Sequence, residues 1–125
     1  MGKLRRHTIS FANAWRGLSW AVKTQPNFLI HLLVAALALL LSWYLGISRL
    51  EWVLIVLVIF VVLVTELINT ALESATDLFA EGHWSYCAMV AKDVSAAAVL
   101  TAAFLALLIG GAIFLPYIFP FFHAF

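Results

Sequence analysis

The sequence predicts an all-α membrane protein: an N-terminal amphipathic helix on the membrane surface, then three membrane-crossing helices. Composition is the first reason. Of 125 residues, 66% are hydrophobic and 10% charged, where soluble domains carry roughly 25% charge. Mean hydropathy is +1.09. Layout is the second. Apolar segments at 28–45, 52–79 and 93–114 each hold enough residues to cross a hydrocarbon core about 30 Å thick. The length suits a single domain, 1–125, with no separate soluble module.

The elements follow in order. Residues 1–7 form a basic tail. Over 8–23 the pattern is partly helical, with Phe11, Trp15, Leu18 and Val22 on one face and Asn13 and Arg16 elsewhere. That partition suits a helix lying along the interface, although Trp20 blurs it. Pro26 marks the turn into the bilayer. The first span ends at Trp43 and Tyr44, an aromatic belt, before Gly46 and the turn Ser48–Glu51. The second starts near Trp52, runs past the membrane surface to about Phe79, and is followed by a turn carrying Gly82. The third starts at about Asp93 and is rich in small residues (Ala96, Ala97, Ala98, Thr101, Ala102, Ala103). Small residues let membrane helices approach closely, so this face is expected to be a packing seam. Pro116 and Pro120 are expected to end that helix.

Charge placement sets the orientation. Lys3, Arg5, Arg6, Arg16 and Lys23 all precede the first span, which favours a cytoplasmic N-terminus and, with three spans, an outer C-terminus. The N-terminus does not read as a signal peptide, because its basic residues continue to Lys23. Cys87 stands alone, so an internal disulfide is excluded and a reduced, incidental thiol is expected.

The informative exception to the apolar pattern is Glu66, Asn69, Glu73 and Asp77. A carboxylate at the bilayer centre costs at least about 2.5–3.5 kcal/mol, which makes an intramembrane acid a functional feature by default. At about 100° per residue, the four side chains fall within roughly an 80° arc. Depth grades along the stripe. Glu66 lies about 21 Å along the helix from Trp52, some 10 Å below the inner surface of a core about 30 Å thick. Glu73 then reaches that surface and Asp77 the headgroup zone.

Such a stripe connects water with lipid. Its aqueous carboxylates can hold Mg²⁺, which takes oxygen ligands and bridges phosphates. The deeper carboxylate can take a proton from an alcohol. Lys92–Asp93, read as the start of the third span, would set an ammonium at a helix N-terminus, a favourable place for phosphate. There is no glycine-rich phosphate loop. The combination suits phosphoryl transfer to a membrane alcohol.

The run Glu66-Leu-Ile-Asn-Thr-Ala-Leu-Glu73, with Asp77 and the later Ala91-Lys-Asp-Val, resembles the small bacterial integral-membrane diacylglycerol and undecaprenol kinases. Asn13-Ala-Trp-Arg-Gly-Leu18, Asn27-Phe-Leu-Ile-His31 and Ser48-Arg-Leu-Glu-Trp52 add to the match, which covers residues 6–110. The resemblance implies a homotrimer in the bacterial cytoplasmic membrane with active sites shared between subunits. It implies ATP as phosphoryl donor, Mg²⁺ as cofactor, a membrane lipid alcohol as acceptor, and no nucleic-acid partner. Position by position, it makes Glu66 the base for the lipid hydroxyl and Asn69 its supporting amide. Glu73 becomes a Mg²⁺ ligand, and Arg6 a contact to ATP and lipid. Asp77, Lys92 and Asp93 become nucleotide-site residues, with Glu81 and His83 as further candidates from a loop of shifted spacing. Gln25 stands where the family carries a second metal-binding glutamate, so the amide oxygen would ligate without charge. The phrasing around Asn27–His31 and Ser48–Trp52 is nearer the undecaprenol branch.

Other readings stay open. The stripe could be polar glue between helices, or part of a non-catalytic or ion- or proton-conducting membrane oligomer. A kinase weakened by Gln25 lies between these. Lys92 could anchor a helix end by snorkelling. His31, alone near the end of its span, reads as an interfacial or packing histidine.

Overall fold

A computed structural model describes residues 11–119. Within them the chain forms four helices: α1 (Phe11–Thr24), α2 (Pro26–Leu45), α3 (Arg49–Ala80) and α4 (Tyr86–Ile118). The last three are long and apolar enough to cross a membrane. The expected surface helix falls partly outside the described residues, since 8–10 precede them.

Local chemistry explains most of the boundaries. Gln25 is extended and Pro26 opens α2, where its missing N–H removes a group that has no helical partner anyway. Gly46 ends α2 in the left-handed conformation at φ 63°, a conformation glycine adopts without steric cost. Ser48 and Glu51 then form a reciprocal capping box at the start of α3. The Glu51 carboxylate accepts from the Ser48 N–H at 2.7 Å.

Two helix ends differ from expectation. α4 begins at Tyr86, capped by Ser85, and not near Asp93. Apolarity locates where the helix enters lipid, whereas the cap locates where it starts. Consequently Lys92 is not at a helix N-terminus, and the argument for phosphate binding from free N–H groups there does not hold. At the other end, α4 continues through Pro116 to Ile118. Proline forfeits one backbone bond, but the Tyr117 hydroxyl donates to Glu51 at 2.8 Å and ties this last turn to α3.

α3 is central. It packs along most of α4 and against α2, while α2 and α4 meet only slightly and α1 rests on α2 and α3. At 32 residues it is about 48 Å long, well over the roughly 30 Å of a hydrocarbon core. Ile47, Ile55 and Ile113 form a buried cluster at the Tyr117 end, supported by Trp52 and Phe114. The α4 seam is narrower than its alanines suggest. Ser95, Ala102 and Ile113 are buried, whereas Ala96, Ala97 and Ala98 face outward. Many large apolar side chains, among them Leu37, Leu40, Leu100 and Leu107, also face outward, as lipid-facing residues do.

Candidate active site

The polar stripe of α3 is buried by degrees. Glu66 is 3% exposed and Asn69 6%, Glu73 is half-buried, and Asp77 is exposed. One rigid helix therefore carries carboxylates from the protein interior to its surface. The spacing read from the sequence is the cause, because each residue advances about 1.5 Å along the same face.

Packing against α4 adds a partner that the sequence did not single out. The Ser95 hydroxyl donates to Asn69 Oδ1 at 2.6 Å, and Asn69 Nδ2 donates to Glu73 Oε1 at 3.1 Å. The direction of this chain is forced. An ionised carboxylate only accepts, so Asn69 must turn its NH₂ towards Glu73 and its oxygen towards Ser95. Ser95 also contacts the Lys92 carbonyl at 2.9 Å. Its one signal in the sequence is a hydroxyl at the head of an alanine run, which reads equally well as another small packing residue. Thr70, buried one position beyond Asn69, bonds through its carbonyl to the Ser74 hydroxyl at 3.0 Å.

Nearer the surface, Lys92 of α4 pairs directly with Asp77 of α3. Both side chains are substantially exposed, so the pair contributes on the order of 1 kcal/mol or less. Its consequence is positional: the ammonium stands beside the outer end of the carboxylate stripe. Asp93 is exposed on the same helix. Glu81 and His83 are exposed in the α3–α4 turn, with Glu81 left-handed at φ 47°; neither is joined to the stripe by a hydrogen bond among the described residues. Arg6 lies outside the described residues.

The donor set fits Mg²⁺ in one form. Among the described residues no group of three or more His, Cys, Asp or Glu could hold a metal ion. Glu73 supplies one carboxylate, and Mg²⁺ commonly takes one or two carboxylates while keeping water and substrate phosphate as its other ligands. Gln25 caps α2, and its amide nitrogen makes a long contact of 3.4 Å to the Thr24 hydroxyl. The residues suit an ion that arrives with its phosphates, and not a closed all-protein cage.

An open apolar groove of about 570 Å³ runs between α2, α3 and α4, from His31 towards Leu115 and Ile118. Its lining is otherwise aliphatic and aromatic, with Gly110 and Gly111 where the backbone forms the wall.

Comparison with known proteins supplies the family. Residues 12–114 match the model of the prokaryotic diacylglycerol kinase family. A Synechocystis protein named diacylglycerol kinase is 38% identical over 108 residues, which cover 86% of this chain and 62% of that protein; the chain thus spans less than two thirds of that relative. A Bacillus subtilis protein named undecaprenol kinase is 37% identical over 114 residues, covering 91% and 92% of the two chains. By these matches, and with its graded carboxylate stripe and three membrane-length helices, the chain belongs to the prokaryotic diacylglycerol kinase family.

Proposed function

We propose that the protein is a lipid kinase that transfers the γ-phosphate of ATP, with Mg²⁺, to the hydroxyl of a membrane lipid alcohol, with undecaprenol favoured over diacylglycerol. The observation that carries this reading is the graded stripe: a carboxylate buried at Glu66, an amide braced at Asn69, and charged groups at Glu73, Asp77 and Lys92 towards the surface. It gives one site access to both an apolar and a water-soluble reactant.

In this reading Glu66 receives the hydroxyl proton as the lipid oxygen attacks phosphorus. Asn69, held between Ser95 and Glu73, fixes the local geometry. Glu73 and Gln25 hold Mg²⁺, which when bound neutralises phosphate charge. Lys92, with Asp77 and Asp93 beside it and Arg6 from the N-terminal segment, orients the nucleotide; Glu81 and His83 lie at its margin. The apolar groove gives the lipid's hydrocarbon a place beside α3.

The same reading takes residues 1–125 as one domain in the bacterial cytoplasmic membrane, with the N-terminus and the Asp77 end cytoplasmic and the C-terminus outside, as the N-terminal basic residues favour. α1 lies on the inner surface, and three copies assemble around shared sites. A conducting oligomer is less well supported. The groove wall is apolar throughout apart from His31, and Ser42, the buried hydroxyl in the outer half, donates to the Ala38 carbonyl of its own helix at 2.7 Å.

The test is phosphate transfer from labelled ATP by purified protein in mixed micelles, with undecaprenol and diacylglycerol offered separately and Glu66→Gln as control. Transfer that vanishes in the variant is expected, with the faster acceptor naming the branch. A folded protein that labels neither lipid across a wide Mg²⁺ range, or one that leaks ions in vesicles without ATP, overturns the reading.

A further inference from the structure

The buried face of α2 carries Phe28, Ala35 and Ser42, and the buried face of α3 carries Ile55, Val62, Glu66 and Asn69. The two helices are joined by the tight turn at Gly46–Ser48, so residues equally far from that turn stand at one level of the antiparallel pair. Ser42 is then level with Ile55, Ala35 with Val62, and Phe28 with Asn69. His31, one turn from both Phe28 and Ala35 and half-buried, is level with Glu66. His31 is indeed one of the two ionisable residues that act electrostatically on Glu66, the other being Glu73. It is also the sole ionisable side chain lining the apolar groove, to which α4 contributes only apolar residues and glycines. The described cations of α1 are engaged or exposed: Arg16 bonds Asn13, and Lys23 faces outward.

Glu66 has a corresponding need. Among the described residues no side chain gives its carboxylate a hydrogen bond, and the residue as a whole is 3% exposed. A base that accepts a proton in such a place must pass it on before the next turnover.

We propose that His31 is a positioning residue that acts through Glu66, orienting the carboxylate and receiving the proton Glu66 takes from the substrate. This rests on the lipid-kinase reading. As the lipid oxygen bonds to the γ-phosphorus and the phosphorus–oxygen bond to ADP breaks, the hydroxyl proton moves to Glu66. The Glu66 O–H bond then breaks and its proton bonds to the unprotonated imidazole nitrogen of His31. Glu66 returns to carboxylate, and the imidazolium releases its proton to water. Imidazole suits the task because it gains and loses protons near neutrality. The histidine that reads from sequence as a packing residue thereby becomes part of the reaction.

The experiment compares wild type, His31→Asn and His31→Ala in the micellar assay, with kcat, both KM values and the pH dependence of kcat measured for each. Both variants are expected to lose about 100-fold in kcat, the lower end of what a positioned proton-transfer group contributes. Both KM values should stay within about threefold of wild type, as expected for a group that acts in the chemical step. The acid limb of the wild-type profile should change shape in both variants, and added imidazole should restore His31→Ala in part. Wild-type kcat and pH profile in His31→Asn would overturn the proposal, as would a raised lipid KM with unchanged kcat, which marks a packing role. If wild type itself phosphorylates neither lipid, the kinase reading fails; if wild type is active and the variants match it, this inference alone fails.

Discussion

The Ser95 hydroxyl of α4 donates to Asn69 Oδ1 of α3 at 2.6 Å, and this bond completes the orientation that the Glu73 carboxylate imposes on the Asn69 amide. With Ser95 in place the amide oxygen is occupied, and the NH₂ group is directed to Glu73. Ser95→Ala leaves a buried acceptor without its donor, which costs about 1–3 kcal/mol. The expected outcome is a stability loss of that size in denaturant titrations, with kcat reduced about tenfold. Ser95→Thr, which keeps the hydroxyl, should recover most of both.

In the proposed reading, Gln25 would offer an uncharged oxygen to the ion that Glu73 would hold. Gln25→Glu adds a second carboxylate, and ligand charge count is a main determinant of divalent-cation affinity. The Mg²⁺ concentration giving half-maximal activity should fall on the order of tenfold. An unchanged Mg²⁺ titration would remove Gln25 from the metal site.

Lys92 and Asp77 are paired but exposed, so their importance should be functional. Asp77→Asn should shift stability by less than about 1 kcal/mol, in keeping with an exposed pair. Lys92→Met should raise the KM for ATP by about tenfold or more through loss of a charge-assisted phosphate contact, with little change in the KM for lipid. Initial rates with each substrate varied in turn separate the two effects.

Tyr117 secures the far end of α4 through Glu51, remote from the stripe. Tyr117→Phe removes a hydrogen bond to a carboxylate, a loss of about 1.5–3 kcal/mol. Thermal unfolding in detergent should report this, while kcat at moderate temperature stays near wild type.

Glu81 ends α3 in the left-handed conformation, which costs a residue bearing a Cβ roughly 1–2 kcal/mol. Glu81→Gly should therefore stabilise the protein by up to about that amount. Measuring the KM for ATP on the same variant checks the nucleotide role: a marginal contact should leave it within about threefold.

The sequence by itself determined the class of this protein and the axis of its site. Hydropathy and charge placement depend on composition along the chain, and the periodicity of Glu66, Asn69, Glu73 and Asp77 depends only on the geometry of a single helix. These features are local, so they can be read before any tertiary contact is known. The family followed from the same run of residues. Local turn chemistry was legible too, at Pro26, Gly46 and the Ser48–Glu51 turn.

Tertiary structure decided what local pattern cannot express. Whether Ser95 packs or bonds depends on the rotation of α4 about its own axis, which places a hydroxyl 26 residues distant against Asn69. The register of α2 on α3 brings His31 to the level of Glu66, although the span containing His31 is largely apolar. The start of α4 at Tyr86 and its continuation through Pro116 follow from a cap and from the Tyr117–Glu51 contact, whereas hydropathy reports only where lipid begins. Apart from the local Ser85 cap, the deciding energy comes from contacts between helices far apart in the chain, and such contacts leave no periodic trace in the sequence of either helix.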